Sequence, residues 1–158
     1  MTLKELELYL QNLPNEILPD AADLVSETAT AYYQETFSKK AFDGNPWAPA
    51  KTPKARGSLL IDSGALMNSI RPLVVTPERV VIAAGNNKVT YARIHNEGFS
   101  GEVKVPAHIR KTKKYGDVQV REHQRMSHVV KRQFVGESKE LNRQIKERLQ
   151  DYLESKLK

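Results

Sequence analysis

Cysteine is absent from the 158 residues, and this one absence excludes disulfides, thiolate nucleophiles, iron–sulfur clusters and cysteine-based zinc sites together. For a small domain it fits a reducing compartment, so the expectation is a chain that stays in the cytoplasm where it is made. No window offers the roughly 18 uncharged apolar residues of a membrane-spanning helix. The N-terminus, MTLKELELYL, alternates charge with leucine and has no signal-peptide apolar block. The expectation is therefore a soluble, unexported protein without membrane contact. G-x-x-x-x-G-K, G-x-G-x-x-G and G-x-S-x-G are all missing, which leaves phosphate-cradling and serine-hydrolase readings without support. No internal repeat or low-complexity run occurs.

What is present fits one core. The length sits inside the usual range of about 100 to 200 residues for a domain, and 39% hydrophobic residues suffice to bury one. A single domain over 1–158 is expected, with an N-terminal helix and linker at 1–18 and a projecting basic hairpin at 102–128. The net charge of +6 is unevenly spread. Between Val103 and Gln133 nine basic residues face two acidic ones, a local +7 that leaves the remainder at −1. A positive field confined to one segment concerns a partner or a subunit contact more than the fold.

Along the chain, Thr2-Leu3-Lys4-Glu5 reads as a capping box ahead of Leu3, Leu6 and Leu10 at helical spacing. Pro14 is expected to end that short helix. Pro19 opens a second, from about Asp20 to Lys40, with Leu24, Val25, Thr28, Ala29, Tyr32, Tyr33, Thr36 and Phe37 in one stripe. Asp43-Gly44-Asn45-Pro46 is a turn, and Trp47 to Arg56, with Pro49, Pro53, Lys51 and Lys54, an extended basic loop. Ser63 is placed to cap a short helix containing Leu66. Leu73–Val75 and Val80–Ala84 flank a turn and form a hairpin closed by Gly85-Asn86-Asn87. Tyr91 to His95 reads as a strand. Glu102–Arg110 and Val118–Glu122 read as arms of a long hairpin with its tip at Lys111–Asp117. Leu141, Ile145, Leu149, Leu153 and Leu157 mark a terminal helix. The fold class is α+β, an antiparallel sheet of about four to six strands packed against the long N-terminal-half helix and the C-terminal helix.

Candidate chemistry is sparse. His108, His123 and His128 are the only cluster with metal-like residues, and their surroundings are cationic, which repels a divalent ion. Ile94-His95-Asn96-Glu97-Gly98 invites comparison with His-Asn nuclease sites but shows one histidine and one carboxylate. Asp62-Ser63-Gly64 reads as a loop-to-helix start. The basic hairpin is the strongest interaction candidate. Lys104, Arg110, Lys111, Lys113, Lys114, Arg121 and Arg125 can meet phosphates or a neighbouring subunit, or be a solvated strand pair charged against aggregation.

Four segments, in order, resemble the phage virion morphogenesis family, the tail-completion or head–tail joining proteins of tailed phages and prophages. Phe42-Asp43-Gly44-Asn45-Pro46-Trp47 resembles its D-G-x-P-W. Leu60 through Ile70 is similar to L-x-x-[ST]-G-x-L-x-x-S-I, by Ser63, Gly64 and Leu66. Tyr91-Ala92-Arg93-Ile94-His95-Asn96-Glu97-Gly98 is similar to Y-A-x-I-H-x-x-G. Lys131-Arg132-Gln133-Phe134-Val135-Gly136 is similar to A-R-x-F-L-G. The departures are Lys131 for alanine, Val129-Val130 where a proline is common, and the long basic hairpin.

Structural roles suit the motif residues Asp43, Gly44, Pro46, Trp47, Ser63, Gly64, Leu66, Tyr91, His95, Gly98, Arg132 and Phe134. The glycines and prolines shape turns, Ser63 caps, Trp47 anchors its loop, Tyr91 fills a sheet face, and Arg132 and Phe134 pin the last strand. The resemblance implies a virion structural protein that is no enzyme and needs no metal or cofactor. It would act at the tail or head–tail junction as a homo-oligomeric ring of six, with other tail or connector proteins as partners and assembly in the host cytoplasm. The competing readings are a nucleic-acid-binding module that uses the hairpin for non-specific DNA contact, and a small hydrolase or nuclease around His95.

Overall fold

The computed structural model describes residues 3–52 and 56–156. The Thr2 capping box, Pro53 and Lys54 of the basic loop, and Leu157 lie outside them, as do the side chains of Leu6 and Leu10. The fold is α+β with antiparallel strands, as expected: helix α1 (Leu3–Lys39), a miniature hairpin β1 (Ala41–Phe42) and β2 (Asn45–Pro46), one-turn helix α2 (Ala65–Asn68), and hairpin β3 (Arg71–Thr76) and β4 (Arg79–Ala83). Short helix α3 (Ala92–Glu97) follows. Next come β5 (Phe99–Val105), β6 (His108–Thr112), β7 (Gly116–Val120), β8 (His123–Val129) and helix α4 (Lys139–Lys156).

The scaffold is α1. Ala22, Ser26, Ala29, Tyr33 and Phe37 recur at helical spacing and are buried, as are Thr28, Tyr32 and Thr36 beside them. The buried hydroxyls of Thr28 and Thr36 donate to the Leu24 and Tyr33 carbonyls, whereas the Thr30 hydroxyl, also buried, has no hydrogen-bond partner among the described residues. α1 does not stop at Pro14. It runs 37 residues through both prolines. A proline removes one helical hydrogen bond at a cost of about 3 kcal/mol. Around Pro14 and Pro19 the helix surface is exposed, so water can take up the freed carbonyls.

α4 packs antiparallel on α1. Tyr152 donates its hydroxyl to Asp20 at 2.7 Å, and the Arg148 guanidinium donates to the Thr28 hydroxyl at 2.7 Å. Its leucine stripe is only partly spent on the core: Leu141 is buried, Leu149 half-buried and Leu153 exposed. The β3–β4 hairpin lies against α1 with Thr76 opposite Arg79, so its loop is the pair Pro77-Glu78.

Three sequence expectations are corrected. Tyr91 to His95 is not a strand, because Ala92 to Glu97 forms α3. Five residues are too few for alternation to outweigh helix-forming Ala and Arg, and Arg93 pairs with Glu97 one turn on at 2.9 Å. With no strand there, nothing links the hairpins. The strands pair two by two as four separate ribbons, not as one sheet of four to six. Lastly, Ser63 is not the N-cap of α2. Gly64 holds that position, and Ser63 offers its hydroxyl to the Ala65 N–H at a stretched 3.4 Å.

Phe37 and Phe134, both fully buried, meet at the centre with ring centroids 5.1 Å apart and planes tilted by 52°, and Trp47 meets Phe37 edge-on at 5.5 Å. Leu66, Ile70, Val89, Ala92 and Leu141 close the cluster. Truncating a buried phenylalanine costs about 3–5 kcal/mol through lost transfer energy and the cavity left behind. Phe134→Ala is therefore expected to lower the urea midpoint sharply. Leu3→Ala, at a side chain that is 85% exposed, should leave it unchanged.

Candidate functional site

The four motif segments meet around Arg132 to Gly136, an irregular stretch and not the last strand expected there, which borrows its hydrogen-bond partners from the first and third segments and from α1 and meets the second by packing. The Arg132 N–H donates to the His95 carbonyl at 2.9 Å. The Asn96 side-chain oxygen accepts from the N–H groups of Phe134 at 2.9 Å and Val135 at 3.0 Å. The Trp47 indole N–H donates to the Gln133 carbonyl at 2.6 Å, and the Tyr33 hydroxyl to the Gly136 carbonyl at 2.8 Å. Burial pushes the Tyr33 phenol up from its ordinary value. Arg132 returns the tie, since its guanidinium donates to the carbonyls of Ala48 at 2.9 Å and Pro49 at 3.1 Å and holds down the Trp47 loop.

Asp43 and Gly44 are the two central residues of the β1–β2 turn, with φ of 48° and 79°. This is the primed geometry that Asp-Gly favours and that Pro46, just after it, helps to fix. The turn aims the Asp43 carboxylate at the start of α4. There it accepts from the Ser138 hydroxyl at 2.8 Å and the Glu140 N–H at 3.0 Å, while Ser138 accepts from the Leu141 N–H at 3.1 Å. The first motif thus caps the last helix. The Glu140 amide, then Ser138, hold the Asp43 carboxyl below the usual carboxylate range. Gly98 ends α3 at φ 80°, and a β-carbon there would approach the Lys131 N–H at 3.2 Å, so the third and fourth motifs touch backbone to backbone.

Tyr91 does not fill a sheet face. It is 40% exposed at the start of α3 and meets the His95 ring edge-on at 5.7 Å. A cavity of about 250 Å³ has Leu66, Ser63, Gly64, Tyr91, His95 and Arg132 in its wall. The other histidines make local contacts: the Nδ1–H groups of His108 and His123 donate to the carbonyls two residues before them, Pro106 and Arg121, both at 2.9 Å. Among the described residues no group of three His, Asp or Glu is placed to hold a metal ion. No helix among them is long and apolar enough to cross a membrane.

The basic residues lie apart from this hub. β5 pairs with β8 from Phe99↔Val129 to Val105↔His123, and β6 with β7 from His108↔Val120 to Thr112↔Gly116. The arm is one long hairpin broken at Pro106-Ala107, with its tip at 113–115. The twelve strand residues on one side, seven in β5 and five in β6, amount to about 40 Å of extended chain. It packs chiefly on itself. Lys104 pairs with Glu122 at 2.8 Å. Arg110, Lys111, Lys113, Lys114, Arg121 and Arg125 make no ion pair among the described residues, and Lys114 sits over the Tyr115 ring at 5.1 Å. Ile109, Tyr115 and Met126 stand between these cations with about seven-tenths of their surface exposed.

Asn96, Tyr33 and the capping role of Asp43 escaped the sequence reading, because each acts across dozens of residues with no local spacing signal. So did an acidic line on α1, formed by Glu16, Asp20, Asp23 and Glu27, which was legible at intervals of four, three and four.

A family model described as the phage virion morphogenesis family matches residues 2–154, nearly the whole chain, and all four motif segments fall inside it. No curated protein and no solved structure matches the chain.

Because the Asp43 carboxyl titrates lower folded than unfolded, the stability it lends is present above the ordinary carboxylate value near 3.9. It is lost as pH falls through the lower folded value. Asp43→Ala is expected to lower the melting temperature at pH 7. The gap from the unmodified protein should narrow below pH 4 in thermal scans across pH.

Proposed function

Because the chain belongs to the phage virion morphogenesis family, a role in virion assembly is its premise, and we propose that it acts at the tail or head–tail junction as a closed ring of six copies. The observation that carries this reading is a division of labour. The motif residues in the hub close turns, cap a helix, complete a backbone or fill the core, while a long arm of the same chain leaves both edges free and the outer half of its surface exposed. A lone two-stranded ribbon is marginally stable in water, so such an arm is built to be covered. Copies of the same chain and neighbouring tail or connector proteins are the partners, met in the host cytoplasm before incorporation into the virion. Beyond the core end of its leucine stripe, α4 lines an open apolar groove with Ile145, Leu149 and Leu153 that offers a second contact.

The same reading makes the protein a structural component that is no enzyme and uses no metal or cofactor. His95 contributes its carbonyl and its ring packing, both architectural. A nucleic-acid-binding module is the second reading, favoured by the six hairpin cations that lack a carboxylate partner among the described residues.

Negative-stain images of the purified protein, alone and with its tail or connector proteins, are expected to show rings, and light scattering a concentration-dependent oligomer. A strict monomer under all these conditions overturns the ring. His95→Ala should alter stability or assembly modestly. Metal-dependent DNA cleavage that this substitution abolishes would overturn the structural assignment.

A further inference from the structure

Helix α1 carries seven carboxylates against two lysines, a net charge of −5. Four of them, Glu16, Asp20, Asp23 and Glu27, are exposed and, at 100° per residue, fall within an arc of about 60°. Asp20 is held by Tyr152 and Lys156. Glu16, Asp23 and Glu27 make no ion pair among the described residues. The acids of α4 are differently placed. Glu140 and Glu147 both bind Arg143, which holds the Glu140 carboxyl down to about 2, and Glu154 accepts from Gln150. Asp151 is the one acid of α4 with neither an ion pair nor a hydrogen bond among the described residues, so α1, with three such carboxylates in one arc, is the more negative unpaired helix face, while the hairpin holds six unpaired cations.

We infer that the outer half of the hairpin of one copy, β6, β7 and the tip, docks on the acidic face of α1 of a second copy. This contact rests on the self-assembly proposed above and deepens it. Charge complementarity identifies the occupant: an arm of +4 over 102–128, seven cations against three carboxylates, and a helix of −5 in the same chain match each other before any third molecule is needed. The dimensions agree. From Glu16 to Glu27 the helix rises about 16 Å, and a five-residue arm such as β6 spans about 16 Å. Within its own copy the hairpin packs on its other arm, while α1 is occupied by α4 and the β3–β4 hairpin on its buried side. The two patches differ, so the contact is head-to-tail, the kind that generates a ring when its rotation closes.

The absence of cysteine makes the test clean. Lys113→Cys in a tagged copy and Asp23→Cys in an untagged copy are mixed and oxidised, with Glu147→Cys on α4 as the control partner. The expected result is a mixed disulfide dimer from the Lys113 and Asp23 positions, well above the control. In parallel, Lys113→Glu with Lys114→Glu, and Asp23→Lys with Glu27→Lys, should each weaken self-association about tenfold while leaving circular dichroism unchanged. Mixing the two reversed proteins should restore it.

Cross-linking no stronger than the control, or no rescue on mixing, overturns the contact. So does a hairpin reversal that removes only salt-sensitive DNA binding and leaves self-association intact, which assigns the arm to DNA. The two proposals fail separately. Rings without the Lys113–Asp23 cross-link overturn the contact and keep the ring, whereas the cross-link without rings does the reverse.

Discussion

The structure depends on how Arg132 to Gly136, a stretch with no regular secondary structure, satisfies its backbone beside a buried phenylalanine. Buried N–H and C=O groups must find partners, and an irregular segment cannot supply its own. Here the partners come from far along the chain: the His95 carbonyl, the Asn96 amide oxygen, the Trp47 indole and the Tyr33 hydroxyl. Each bond fixes a different element to the same few residues. The tilted Phe37–Phe134 pair can then close, because the chain on both sides of Phe134 is already held. This is why segments separated by dozens of residues carry one recognisable pattern. They are facing parts of a single junction.

Such a junction spends Phe42, Trp47, Leu66 and Phe134 on the core, while Gly44, Pro46, Ser63 and Tyr91 stay exposed at its rim. The hairpin leaves the hub at Gly98 and returns to it at Lys131, where a glycine lets the two ends of the arm approach backbone to backbone. Anchored there, the arm needs no packing against the helices, and the spacing of its residues follows other demands. β5 alternates half-buried Phe99, Gly101, Val103 and Val105 with exposed neighbours, as a ribbon with one better-covered face should. β6 loses that alternation and exposes nearly every position. Such a strand has no preferred face, and its cations make no ion pair among the described residues.

Legibility in the sequence followed the range of the interaction. The terminal helix, the hairpins and the Asp-Gly turn were readable, because spacing and turn chemistry act over a few residues. α3 was misread as a strand since its single turn is too short for period 3.6 to separate from period 2. The unbroken α1 was missed because a proline's cost in a helix is finite, and long amphipathic packing against α4 and β3–β4 outweighs it. Asn96 and the Asp43 cap had no local signature at all: each joins residues between 38 and 97 positions apart. The acidic line on α1 was hidden differently. A count of charges reports the sum over a helix, while the field at its surface depends on phase.

That distinction between sum and phase bears on assembly. A net charge of +6 describes a protein that repels its own copies at long range. At the distance of contact the average no longer governs. Within about 10 Å, the screening length at ordinary ionic strength, a neighbour meets either the cationic arm or the anionic helix and not their mean. Opposite patches on different faces of one chain disfavour face-to-face pairing of like surfaces and favour head-to-tail order. The break in the ladder at Pro106 frees the outer ribbon from the hydrogen bonds that direct the inner one. The charged end of the arm can therefore settle on a neighbour without disturbing the junction at Phe134 that holds its base.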